Sequence, residues 1–74
     1  MPDQVDHPPH YQSAAGIEAI DVIEAFGLGF SDGNAVKYIL RAGKKGDGIT
    51  DRRKAIWYLE REIANEMKRR EAAG

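Results

Sequence analysis

The chain has 74 residues, with eleven Lys and Arg against twelve Asp and Glu for a net charge of −1, and it contains no cysteine. A single small domain of that length draws only about 3–5 kcal/mol from its own core, and neither a disulfide nor a thiolate metal site can add to it. The near-neutral total argues against duplex nucleic acid as the partner, since such binders are usually basic overall.

The charge is unevenly placed. Residues 1–36 carry six acidic side chains and neither Lys nor Arg, whereas residues 37–74 carry all eleven basic ones and six acidic, so the two parts stand at −6 and +5. This polarity predicts local anion binding, or subunits that dock acidic end to basic end. No run is apolar enough for a membrane-spanning helix, and the N-terminus lacks a signal-peptide pattern, so no membrane association is expected.

Residues 1–16 read as an extended arm. Pro8 and Pro9 impose a polyproline-like path, whose threefold repeat turns His7 and His10 the same way with Tyr11 beside them. The arm is either a tail whose Tyr11 packs on the body or a cover whose imidazoles donate hydrogen bonds to a ligand. Two histidines alone are too few for a closed metal site.

Residues 17–74 form the single helical domain. From Ile17 to Phe26, Ala19, Ile20, Val22, Ile23 and Phe26 make an apolar face, and Gly27 is the expected C-terminal cap. Glu18 and Asp21, one turn apart, form a solvated or docking acidic face, or would hold Mg²⁺ if phosphate chemistry were carried out. Leu28 and Phe30 are expected to tuck into the core. Ser31 is the expected N-cap of a second helix, which ends near Ala42. On that helix Val36, Ile39, Leu40 and Gly43 fall on one side, and Asn34, Lys37, Tyr38, Arg41 and Lys45 on the other.

The run from Gly43 to Gly48 is glycine-rich but lacks the full phosphate-loop pattern between strand and helix, so it reads as a cap and turn. Thr50 is the expected cap of a long third helix reaching Arg70. Its core stripe would be Ile56, Leu59, Ile63 and Met67. Arg52, Arg53 and Lys54 sit in its first turn, against the helix dipole. Trp57 and Tyr58 lie off the stripe with Lys54 and Arg61. That face is a subunit interface, the reading preferred for Trp57, or a platform for a planar ligand. The fold class is all-α: an arm, two short helices and one long one, assembling as a homo-oligomer through the long helix.

Four stretches in order, His7 to Tyr11, Gly16 to Asp21, Gly33 to Lys45 and Arg53 to Leu59, resemble the motifs of a small bacteriophage domain of unknown function, found in phage proteins described as nucleotide kinases. The resemblance implies a phage origin and a role around nucleotides, and names no catalytic residue; with neither a membrane helix nor a signal peptide expected, the host cytoplasm is the expected location. The leading expectation is a protein that binds a phosphorylated nucleotide. Lys37, Arg41, Lys44 and Lys45 would neutralise phosphate, with Arg53 and Lys54 as neighbours. Asn34 and Tyr38 would add hydrogen bonds or stacking, and the arm carrying His7, His10 and Tyr11 would close the site. Sequestering a cyclic nucleotide used as a host immune signal, an anti-defence role, suits a small chain with no identified catalyst. The alternatives are a nucleoside monophosphate kinase and an inhibitor of a host protein acting through Trp57, Tyr58 and the basic face.

Overall fold

The computed structural model describes residues 15–74; the expected arm, with His7, His10 and Tyr11, lies outside them apart from its last two residues. The described chain is all-helical, with α1 (Ala19–Ala25), α2 (Phe30–Arg41) and α3 (Gly48–Ala73). No helix among them is long and apolar enough to cross a membrane.

The helix starts differ from those expected, and the side chains explain why. Helix α1 begins two residues later than Ile17, because the Asp21 carboxylate accepts the backbone N–H of Glu18 at 2.8 Å and fixes Glu18 as the N-cap. Gly29, not Ser31, caps α2: its extended backbone places its carbonyl 2.8 Å from the Gly33 nitrogen, leaving Ser31 inside the helix and buried. Asp47, not Thr50, caps α3, accepting from the Ile49 N–H at 2.9 Å and from the Thr50 hydroxyl at 3.1 Å. The turn between α2 and α3 leaves the helix through Gly43 at φ 83°. An L-residue with a side chain avoids that conformation, so the glycine serves as the expected cap.

Helices α2 and α3 make an antiparallel hairpin, and α1 packs more lightly on α2. The seam between the long helices is built from small side chains. Ala35 and Ala55 are buried on it, together with Ser31 and Asp51. This corrects the expected burial of α2, where Ile39 is exposed and Ala35 is the most hidden side chain. Small residues let the helix axes approach, and that close approach sets which face turns inward.

The same correction applies to α3. Successive residues turn by about 100°, so the buried Asp51 and Ala55 and the half-buried Tyr58 and Glu62 share the side toward α2. The expected core stripe of Ile56, Leu59, Ile63 and Met67 is instead exposed, with Ile63 at 58%. Both sides of the hairpin can then be assigned from the helical spacing. Lys37 and Arg41 of α2 share one side with Lys54, Trp57 and Arg61 of α3. Asp32 and Ile39 share the other with Leu59 and Ile63. The Arg69 guanidinium agrees with this placement: the Glu62 hydrogen bond, with Glu66 and Asp32 charges behind it, holds its pKa above the usual value.

Candidate functional site

Tyr38 is the centre of the basic side. It projects from the third turn of α2 toward α3, where its ring stacks on Tyr58 with centroids 6.0 Å apart and planes inclined by 17°. Tyr58 in turn meets Trp57 edge-on at 5.1 Å and Phe30 edge-on at 6.0 Å. Four aromatic rings from both helices are therefore continuous. Tyr58 belongs to the contact between α2 and α3, whereas Trp57 at 59% and Phe30 at 78% exposure border it. The expected tucking of Phe30 into the core is thus not found; as the first residue of α2 it stands at the rim.

Three cations gather on the Tyr38 ring. Lys37 Nζ lies 5.0 Å from the centroid, Lys54 Nζ 5.3 Å and the Arg41 guanidinium carbon 5.8 Å. The negative face of an aromatic ring attracts such groups, by about 0.5–1 kcal/mol each where exposed. Their mutual repulsion opposes this, and it is only partly relieved. Arg41 Nε sits 3.3 Å from Asp51 Oδ2, and Asp51 is almost wholly buried, so this pair is a fixed structural element. Lys37 and Lys54 have no carboxylate partner among the described residues. Among the described residues, with Asp51 counted, the cluster keeps a charge of about +2, which suits an anion of two or more charges.

A groove opens beside this cluster between α1 and α2, with a volume of about 270 Å³. Ile23, Leu28 and Gly33 form its apolar part, and Phe30, Asn34 and Lys37 its rim. At Gly33 a Cβ would meet Ile23 Cγ2 at 3.4 Å, an ordinary contact, so the glycine leaves the groove slightly wider without being required there. Asn34 is held by its side-chain N–H donating to the Phe30 carbonyl at 2.8 Å. Lys37 belongs to both features, so the groove and the cation cluster are one surface: apolar and aromatic at one end, cationic at the other. Such a combination accepts a small amphipathic anion with a planar group.

The structure brings together Asn34, Lys37, Tyr38, Arg41 and Lys54 from the sequence-derived set, with Trp57 and Tyr58 alongside. Lys44 and Lys45 lie in the exposed turn after α2, and Arg53 falls by helical spacing on the side of α3 away from α2. Glu18 and Asp21 are engaged in the start of α1, and no group of three or more metal-ligating side chains is present among the described residues. Sequence reasoning missed Phe30, Ile23 and Leu28 as groove residues and Asp51 as the partner of Arg41. The spacing of ten residues between Arg41 and Asp51 carries no periodic signal; only the turn between the helices brings them together.

Comparison with known proteins adds a family. A curated relative, the Gene 1.7 protein of Enterobacteria phage T3, is 46% identical over 65 residues, covering 76% of this chain and 39% of the relative. The chain thus spans well under half the length of that protein. The similarity supports a bacteriophage origin. No solved structure matches. The family described as protein of unknown function DUF3310 matches residues 5–60, which takes in α1, α2 and the first half of α3, and the chain belongs to that family.

Proposed function

We propose that this chain binds a phosphorylated nucleotide on the basic side of the α2–α3 hairpin. The observation that carries the reading is the convergence of Lys37, Arg41 and Lys54 on the Tyr38 ring, next to an apolar groove. Phosphate oxygens take the place of the missing counter-charge at Lys37 and Lys54, while the base lies against Phe30 and the groove, with Asn34 at hand for a hydrogen bond. Lys44 and Lys45 supply further positive charge from the turn after α2, whereas Arg53 faces away from the site and His7, His10 and Tyr11 lie outside the described residues. Self-association through the long helix is part of this reading, because α3 has few buried side chains of its own.

Sequestration, such as capture of a cyclic nucleotide signal in a phage-infected host, fits this site better than turnover. Asp21 is occupied in capping α1, and Asp51, the carboxylate beside the cations among the described residues, is buried against Arg41 and closed to a metal ion. The kinase alternative, with Mg²⁺ near Glu18 or Asp21, and the host-protein inhibitor acting through Trp57, Tyr58 and Arg61 make different predictions. Incubation with ATP and a panel of mono-, di-, tri- and cyclic nucleotides, followed by heat denaturation and chromatography, separates them. Intact ligand recovered in proportion to protein supports sequestration, phosphate transfer lost in Lys37→Ala supports the kinase, and neither retention nor transfer for any nucleotide contradicts both.

A further inference from the structure

The exposed apolar side of α3 is the largest feature that the ligand site leaves unexplained. Helix α3 has 26 residues and α2 has 12, so α3 runs roughly 39 Å against roughly 18 Å for its partner. Its second half therefore extends past α2. Ile56, Leu59, Ile63 and Met67 recur at three and four residues along it, and all are exposed. Ile63 and Met67 also line a concavity of about 200 Å³ with Glu66 and Arg70. The only buried hydrophobic residues in the described chain are three alanines.

We infer that this stripe is the contact surface for a second copy of the chain, with the two α3 helices antiparallel. The charges select the direction. Arg52 lies on the stripe side of α3 and makes no ion pair among the described residues, while Glu66 lies two turns beyond Leu59 on the same side, paired with Arg70 of its own helix and half exposed, so its carboxylate can take a second cation. A two-fold axis passing through Leu59 sets Leu59 against the partner's Leu59 and Ile56 near the partner's Ile63. It also sets Arg52 against the partner's Glu66, twice by symmetry. A parallel pair sets every residue against its own copy, so Arg52 and Glu66 each meet a like charge. The antiparallel contact is self-complementary and closes as a dimer.

This pairing specifies the self-association proposed above, yet it uses the side of the hairpin opposite the cations, so it fails independently of ligand binding. Sedimentation equilibrium and cysteine cross-linking test it on the whole chain. The wild type is expected at an even multiple of 8.2 kDa. Ile63→Glu, at an exposed position, is expected to give monomers that keep the wild-type circular dichroism per residue at low temperature. Under oxidising conditions Ile56→Cys with Ile63→Cys in one chain is expected to cross-link into dimers, and Ile56→Cys alone is not. A monomeric wild type, an Ile63→Glu variant that still associates, or efficient cross-linking by Ile56→Cys alone overturns the proposal.

Discussion

Arg41 Nε approaches the Asp51 carboxylate to 3.3 Å, and Asp51 is only 2% exposed. The pair joins the last turn of α2 to the first turn of α3, and it orients the guanidinium beside Tyr38. Removing one partner of such a pair leaves a charge without compensation in a poorly solvated place, which costs far more than the intact pair contributes. Arg41→Ala is therefore expected to destabilise the fold by about 2–4 kcal/mol, toward the lower part of the range for buried pairs because Arg41 itself reaches solvent. Thermal unfolding followed by circular dichroism measures this, with Arg41→Lys expected to recover part of the loss. An Arg41→Ala variant as stable as the wild type would show that Asp51 is compensated elsewhere.

Gly33 offers a prediction of the opposite sign. It is the fourth residue of α2, already hydrogen bonded within the helix, and a Cβ there would make an ordinary contact with Ile23 rather than a clash. Gly33→Ala is expected to raise stability by about 0.5–1 kcal/mol through the helix propensity of alanine. Gly33→Leu, whose branch must displace Ile23, is expected to lower it. Denaturant titration of the two variants reads both signs, and a loss in Gly33→Ala means that α1 sits closer to α2 than described.

The aromatic continuity assigns Tyr58 and Trp57 different duties although they are neighbours in sequence. Tyr58 touches Phe30, Tyr38 and Trp57. Its truncation to Ala should cost about 2–3 kcal/mol, less than for a fully buried ring, and Tyr58→Phe should cost little. Trp57→Ala at the exposed rim should change stability by less than about 1 kcal/mol. Comparison of the three melting temperatures checks the ordering.

Association through α3 has its own energetic signature. Ile63 is about half covered already, so burying the rest is worth about 1 kcal/mol per protomer, from the full value of about 1.5–3 kcal/mol for such a side chain. Ile63→Ala is accordingly expected to weaken the dimer several-fold to thirtyfold, since two copies of the change meet in each dimer. Sedimentation equilibrium over a dilution series measures that change, and an unaltered dissociation constant would remove Ile63 from the contact.

The clustering of several candidate-site residues was legible in the sequence, and the fold only in part. Asn34, Lys37, Tyr38 and Arg41 recur at helical spacing, and Lys54 joins them through the expected first turn of a helix capped by Thr50, although the observed start at Gly48 puts Lys54 in the second turn. The existence and order of the helices followed from apolar periodicity and glycines. What periodicity could not reveal was which stripe faces inward. Ile56, Leu59, Ile63 and Met67 form the more apolar stripe of α3, yet Asp51, Ala55 and Tyr58 take the inner side. Small residues at Ala35 and Ala55 permit close packing of the helix pair, and the Arg41–Asp51 pair locks its register. Local capping rules also misled where two candidates competed. Asp47 and Thr50 are both good caps, and they are hydrogen bonded to each other with Asp47 at the helix start.

The central claim rests on Lys37 and Lys54, two cations on one ring with no carboxylate partner among the described residues, and isothermal titration calorimetry tests it most directly. The wild type, Lys37→Ala and Lys54→Ala would each be titrated with mono-, di-, tri- and cyclic nucleotides at two salt concentrations. The account predicts that at least one nucleotide binds, that each substitution weakens it about tenfold or more, as losing a charged hydrogen bond of about 1.5–3 kcal/mol implies, and that salt weakens the wild type more than either variant. Both variants should fold as stably as the wild type. Absence of binding heat for every nucleotide, or binding that neither substitution alters, would contradict it.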